Sequence, residues 1–519
     1  MLRSFLNIKK EGAKHMKNSG GIIKKIWQKY FAEPEAKPLI TTNQQETKNK
    51  YLFWRNSIFI TSYILYVIAY ICRKNFSIAM PFMDNQMGIT GSDEGLVLMV
   101  ASLVYGIGKL INGTIADKGN VRVWLPINIV LAGFFNFLIV FAPALKNNGK
   151  VSHSMLVLYM CIFWGASNWF QSALFPYCAK SLVRWFPNAT RATWWARWST
   201  SHELGTFLAM NISLPIAKIA QHFLGKWGLE AMFAVPFLLS LIIGAIGLFS
   251  LRDRPVSLGL PDVEEIYQTR LDELTEAEKQ EKDAEANLSY FQIFVKYILR
   301  NKVMWNLSLI YFCVYIFRMG PVDWIFKILV GEQKHFKNFS ASLASIDNLA
   351  ALKASTLCAI GFFGTLLAPV ISEKLFKGKR TPANFWCLLI GSISVIGIWL
   401  GSSPLSPIAN NYIAKNIVAF LSLGVAGFSV CVPQVLVGGI CAVESSSKKV
   451  AAAASGFTSL LGYFGAAFGQ YVNGRTLNIS QKKYGDARLL LIYWGVIAFI
   501  GALLCLPLWN VKANKEYSH

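Results

Sequence analysis

Apolar stretches of about twenty residues recur from residue 56 to residue 510, separated by short polar connections. Twenty apolar residues in a helix are the length that crosses a bilayer. The pattern predicts an all-α membrane protein with twelve transmembrane helices, at 56–80, 95–117, 123–145, 155–182, 191–220, 229–251, 303–330, 346–375, 383–402, 411–443, 450–475 and 487–510. Between the sixth and seventh lies the one long polar insert. It contains the charged run Leu271-Asp272-Glu273-Leu274-Thr275-Glu276-Ala277-Glu278-Lys279, with no apolar run of membrane length. The chain therefore divides into a basic tail (1–55), a six-helix bundle (56–251), a linker (252–302), a second six-helix bundle (303–510) and a short tail (511–519).

Composition agrees with that division. Hydrophobic residues make up 54% of the chain and charged residues only 15%, well below the quarter typical of soluble proteins. A soluble enzyme is excluded. The formal net charge of +23 calls for a membrane explanation before a nucleic-acid one. Basic residues cluster at Lys9 to Lys29, at Lys118 and Arg122, at Lys180, Arg184 and Arg191, at Arg252 and Arg254, and at Lys374 to Arg380. Connections such as Asp84 to Glu94 carry none. Basic loops stay in the cytoplasm, so both termini are expected there and the number of spans is even. No cleavable signal peptide is evident, because the first apolar run begins after Arg55. Ile22 to Phe31 reads either as a short amphipathic helix on the inner leaflet or as a solvated tail. The nine cysteines sit mostly in apolar runs without a CxxC pair, so buried thiols are expected, not disulfides or zinc.

The two halves echo each other. Tyr70-Ile71-Cys72-Arg73 in the first span matches Tyr315-Ile316-Phe317-Arg318 in the seventh. Gly113-x-x-x-Asp117-Lys118 closes the second span and Pro369-x-x-x-Glu373-Lys374 the eighth. Asp117, Lys118 and Arg122, with Glu373 and Lys374, read as a charge cluster that breaks when the bundles rock, or as topology anchors; both can hold together.

A charge at bilayer depth costs from ~2.5 to over ~10 kcal/mol. Two arginines at matched places point to an anion held between them, since a guanidinium meets phosphate oxygens in pairs. The competing reading pairs each arginine with a protein carboxylate, Asp323 or Glu203. Lys109 either approaches that anion or extends to the membrane surface. His202 is either a core histidine or a donor to phosphate that titrates near neutrality. Glu203 points about 100° away from it around the helix, so the two need not act together. Tyr66, Tyr70, Tyr105, Tyr315 and Tyr463 offer hydroxyls to a polar cavity, although core tyrosines are common. Tyr70 and Tyr315 stand three residues before the arginines, on nearly the same face. No GxxxxGK motif followed by Ser or Thr is present, so ATP-driven transport is unsupported. No catalytic constellation, cofactor site or nucleic-acid partner is expected.

These residues carry a resemblance. Arg73-Lys74-Asn75-Phe76-Ser77-Ile78-Ala79-Met80-Pro81, Arg252-Asp253-Arg254-Pro255-Val256-Ser257-Leu258-Gly259-Leu260-Pro261, Val314 to Gly320 with Asp323-Trp324, and Ala454 to Tyr463 are its most specific stretches. Together they make the chain, from about residue 50 to 510, resemble the organophosphate:phosphate antiporters of the major facilitator superfamily. The resemblance implies two pseudo-symmetric six-helix bundles with the substrate site between them. It implies that Arg73 and Arg318 hold the phosphoryl group, with His202 and Lys109 assisting. Trp194-Trp195, Trp198 to His202 and Pro433 to Gly438 lean toward the hexose-phosphate branch, which includes membrane sensors. The implied substrates are a sugar phosphate and inorganic phosphate, and the implied site is a bacterial inner membrane, with the protein as a monomer. Three departures stand out. Trp169-Phe170-Gln171-Ser172 replaces a glycine-rich stretch, and Glu203 stands where asparagine is usual. An acid expected near Cys358 is absent, with Lys353 about a turn away.

An exchanger follows from these charges. Closing an empty cavity over fixed cations leaves their repulsion poorly screened, so the carrier is expected to cross loaded in both directions. A sugar-phosphate receptor and a proton symporter coupled through Glu203 and His202 are the rival expectations.

Overall fold

The computed structural model describes residues 31–39, 43–147, 149, 151–225, 227–267, 292, 295–331, 348–445 and 451–510. The amphipathic stretch expected at Ile22 to Phe31 lies almost wholly outside them, as do the charged run Leu271 to Lys279 and the tail 511–519.

The long helices are α1 (Gln44–Met87), α2 (Gly91–Lys118), α3 (Val121–Phe137), α4 (His153–Trp185), α5 (Asn188–Leu224), α6 (Gly228–Ser250), α7 (Lys302–Gly331), α8 (Asn348–Val370), α9 (Arg380–Ser402), α10 (Tyr412–Val435), α11 (Ala451–Tyr484) and α12 (Arg488–Cys505). Nine helical segments among the described residues are long and apolar enough to cross a membrane. The helices α4, α5 and α11 match them in length but are more polar. Large apolar side chains point outward, among them Ile393, Ile396, Leu421 and Phe249, while buried positions hold many polar groups. That distribution suits a lipid surround, where the outside must be apolar and every polar group needs an internal partner.

Helix ends overrun the apolar runs. The first run predicts 56–80, yet α1 continues from Gln44 to Met87. The Asn43 side chain accepts from the amides of Gln45 and Glu46, and Gly88 ends the helix in the left-handed conformation at φ 66°. Hydropathy marks what lies in lipid; capping decides where the hydrogen-bond ladder stops. Beyond α3 the chain tightens into a 3-10 turn, Leu138–Phe141, before resuming at Ala142–Asn147. Pro143 supplies no amide to the preceding turn, which explains the change.

Helices α1–α6 pack together, as do α7–α12, and α2 against α11, α5 against α8 and α1 against α7 join the halves. Both α1 and α7 start on the side that carries the N-terminal tail and the linker, here the tail side. On the opposite, far side the halves touch backbone to backbone. A Cβ added at Gly474 of α11 would lie 2.1 Å from the Gly91 carbonyl oxygen, and one at Gly95 2.7 Å from that of Gln470. Asn478 donates to Ser92 at 2.9 Å, and Lys218 to Asn348 at 3.2 Å. Toward the tail side the seam loosens: a Cβ at Gly456 would meet only Leu110, at 3.9 Å, and one at Gly113 nothing within 4 Å.

The end of the N-terminal tail straps the tail side of the first bundle. Ala32 bridges to Gly119, the Glu33 amide donates to Lys118 at 3.1 Å, and Lys37 donates to Val256 at 2.9 Å. The Glu33 carboxylate reaches Arg184 at 2.8 Å and Arg254 at 3.0 Å. Partial burial works against its charge. The hydrogen bond and attraction of Arg184, with the pull of Lys180 and Arg254, prevail and hold the carboxyl below its ordinary value of 4.5. A carboxyl so depressed stabilises the strap above its unfolded value, and that contribution is lost as pH falls through the depressed one. The amides of Glu33 and Lys37 should thus be protected at neutral pH and, after correction for intrinsic rates, exchange faster in acid, once pH has fallen well below 4.5. Glu33→Gln should exchange fast at both; pH-independent protection in the unaltered protein would refute the ionic origin.

Candidate functional site

On α1, Tyr66, Tyr70, Arg73 and Ser77 recur at three- and four-residue steps and so share one face. On α7, Tyr311, Tyr315 and Arg318 repeat the pattern. Because α1 and α7 pack against each other, the two stripes meet at the seam between the halves.

Arg73 is held by neutral groups only. Its Nε donates to Gln171 Oε1 of α4 at 2.7 Å. Its guanidinium lies over the Tyr70 ring at 4.7 Å and the Tyr105 ring at 4.2 Å, the cation–π range. Tyr105 of α2 in turn contacts Tyr463 of α11, with centroids 4.8 Å apart, and Tyr463 contacts Tyr315 at 5.0 Å. Tyr66 lies between Trp198 and Tyr70, and Tyr70 faces His202 at 5.7 Å. All five predicted tyrosines are buried in this cluster, and Tyr311 extends it at 4.8 Å from Tyr315. Lys109 points its ammonium at the Phe175 ring, 4.7 Å away, and at Tyr463, 5.8 Å away. No carboxylate among the described residues pairs with Arg73 or Lys109.

Arg318 is buried, and its Nη2 lies 3.5 Å from Glu203 Oε1 of α5. The same oxygen is 3.0 Å from His202 Nε2, although off the line a directed hydrogen bond needs. The Cys431 thiol of α10 donates to it at 3.5 Å. The expectation that His202 and Glu203 point apart is thus corrected. His202 Nδ1 turns back to the Ser199 carbonyl along the helix, and two long side chains bend across a nominal 100°. Asp323 is not the counter-ion of Arg318. It accepts from Lys74 at 2.5 Å, from Ser77 at 3.0 Å and from Gln470 at 2.6 Å. One step toward the far side, Lys327 of α7 and Glu94 of α2 form a third buried ion pair between the halves.

The predicted loop cluster divides. Glu373 lies 3.5 Å from Arg380, which also meets Glu444 at 3.2 Å. Asp117, Lys118 and Lys374 are exposed, and Arg122 donates to the Leu248 carbonyl at 2.8 Å. None of these four forms an ion pair among the described residues. The nearby ion pairs are made instead by Asp253, which pairs with Arg184 and lies 3.8 Å from Lys180, and by Glu33 of the strap. Lys180 instead donates to the carbonyls of Ala116 and Gly119, capping the end of α2.

Sequence reasoning did not assign Gln171, the Lys74–Asp323 pair, the Lys327–Glu94 pair or Cys431. Four charges inside apolar helices were a usable signal for the two pairs, since opposite charges in lipid seek each other. Gln171 lay in the stretch that departs from the family pattern, while Cys431 carried no signal. Among the described residues no cluster could hold a metal ion.

The assembled site is a cluster of tyrosine rings around two guanidiniums, one from each half, at the seam. It presents fixed positive charge with donors in fork geometry, the chemistry that recognises a phosphoryl group.

Comparison with known proteins gives a consistent picture. The family model of the Major Facilitator Superfamily matches residues 62–470. A probable hexose phosphate transport protein of Chlamydia trachomatis is 32% identical over 95% of this chain and 100% of its own length. The membrane sensor protein UhpC of Salmonella typhimurium is 32% identical over 94% of this chain and 98% of its own. The hexose-6-phosphate:phosphate antiporter of the same organism is 30% identical over 78% and 79%. Among solved structures, a bacterial homolog of the human lysosomal transporter Spinster superposes with a TM-score of 0.64 at 14% identity, over 88% of this chain and 96% of that one.

Proposed function

This chain belongs to the major facilitator superfamily, a family of multi-pass membrane transporters and not of enzymes, and from that premise we propose that it exchanges a hexose phosphate for inorganic phosphate by alternating access. Arg73 carries the reading. It is a guanidinium at the seam between the halves, lying over two tyrosine rings and bonded to the neutral Gln171, with no carboxylate among the described residues paired to it. A cation so placed lacks an anion, and a phosphoryl dianion brings both charge and acceptor oxygens. Arg318 meets the phosphoryl group from the other half, Lys109 adds charge, and the tyrosines with His202 contact the ester or sugar. The relative named as an antiporter supports exchange with phosphate, and the chlamydial relative supports a hexose phosphate. In this reading the tail side is cytoplasmic and the membrane is a bacterial inner membrane. The far-side contacts then close the periplasmic face, and the site loads from the cytoplasm.

The second reading is a sugar-phosphate sensor, favoured by the similarity to UhpC over nearly the whole chain. Proteoliposomes loaded with radiolabelled phosphate separate the two. An exchanger releases label when glucose 6-phosphate is added outside, at least ~10-fold faster than in ester-free medium, since the loaded carrier crosses more readily. Binding of glucose 6-phosphate without release would establish the sensor and sink the exchanger.

A further inference from the structure

We propose that Glu203 is a built-in counter-anion for Arg318, which the substrate's phosphoryl group must displace; the inference rests on the exchange reading above. Glu203 stands on α5, in the first half, and Arg318 on α7, in the second. Their 3.5 Å ion pair therefore spans the seam that transport opens and closes. Both groups are buried. Glu203 also keeps two other partners near the same oxygen, His202 Nε2 at 3.0 Å and the Cys431 thiol at 3.5 Å. A carboxylate pushed off Arg318 by an incoming dianion thus remains beside the Cys431 thiol, a donor already in place. It does not become a bare buried charge, which would oppose binding strongly.

Counting the charges at the seam shows what this does. Lys74 is cancelled by Asp323, Lys327 by Glu94 and Arg318 by Glu203, while no carboxylate among the described residues pairs with Arg73 or Lys109. Both uncancelled cations belong to the first half. The second half faces the seam with its arginine already neutralised. The repulsion that would forbid an empty carrier from closing is thereby reduced, because one of the two arginines carries its own counter-charge. Two consequences follow. The carrier leaks: some molecules cross unloaded, so phosphate leaves even into ester-free medium. And phosphate binds more weakly than the arginines alone would allow, since it competes with Glu203. If Glu203 holds Arg318 for ~90% of the time, apparent affinity falls about tenfold.

The test uses the full chain in proteoliposomes loaded with labelled inorganic phosphate. In the unaltered protein, efflux into ester-free medium should be measurable above protein-free vesicles. Efflux indistinguishable from that background, with exchange intact, overturns the proposal while leaving the exchange reading standing. Absence of exchange would instead sink the reading beneath it. Glu203→Gln should lower the half-saturating phosphate concentration about tenfold and cut the ratio of unloaded efflux to exchange. Glu203→Asp, which keeps the charge, should restore the leak. A Gln variant with unchanged ratio and half-saturation, or with half-saturation raised, overturns the proposal. Should that variant fail to insert, the leak of the unaltered protein decides alone.

Discussion

Replacing Arg73 by lysine lowers phosphate exchange at least ~100-fold while the protein still inserts into the membrane. Lysine keeps the charge, so a purely coulombic role would survive the change. The arginine does three things that an ammonium cannot do together. Its Nε donates to Gln171 at 2.7 Å, its plane lies over two tyrosine rings, and its remaining edge presents paired donors. Losing a bidentate contact to a charged oxygen, together with the positioning that aims it, removes several charge-assisted hydrogen bonds of roughly 1.5–3 kcal/mol each. Two such bonds, at ~1.4 kcal/mol per decade, give a hundredfold loss or more. Arg318→Lys should be damaging but less so, because Arg318 shares its charge with Glu203 whereas Arg73 has no carboxylate. Initial rates of glucose 6-phosphate-driven release, normalised to inserted protein, measure both. Exchange within a few-fold of the unaltered rate in Arg73→Lys would contradict the assigned role.

The two arginines were legible because the rule they break is strong. A guanidinium inside an apolar run needs a reason, and two in matched phrases share one. The same rule, applied to Lys74, Glu94, Asp323 and Lys327, would have found two further ion pairs that link the halves. What it does not supply is partnership. Asp323 stands five residues after Arg318 and would serve it on helical spacing alone, but α1 brings Lys74 closer. Glu203 was legible as a charge and misread as a direction, because helical angles describe Cβ positions and not the ends of long side chains. The strap at residues 31–39 was not legible at all. Its ties are backbone bonds to Lys118 and Val256 and one carboxylate among three cations, none of which leaves periodicity in a sequence. At the Asp117 loop the sequence pattern shows that charges gather at helix ends, but not that Glu33 and Asp253, from distant segments, pair with Arg184 there.

Gly474→Val should abolish exchange almost completely and leave the carrier unable to close its far side. The argument is steric and needs no knowledge of the substrate. At Gly474 the Cβ alone would sit 2.1 Å from the Gly91 carbonyl oxygen and 3.0 Å from the Gly95 Cα. Those are backbone atoms of α2, so no rotamer change relieves the overlap; the helices must separate. Separating α2 from α11 also pulls apart Asn478 and Ser92 and weakens the Lys327–Glu94 pair just inside them. A half-broken buried pair is costly, roughly 3–5 kcal/mol. Far-side closure disfavoured by even ~4 kcal/mol would leave under ~1% of carriers in the closed state. Alternating access needs both states, so flux falls with that population. The defect is conformational and not chemical, which separates it from the arginine variants. A cysteine placed at Ser92 should be blocked from a membrane-impermeant thiol reagent in the far-side-closed carrier and react freely beside Gly474→Val. Gly113→Val, on the facing helix α2 with nothing within 4 Å of its Cβ, is the control and should keep substantial exchange. Full exchange in Gly474→Val would mean that α2 and α11 need not touch for the carrier to turn over.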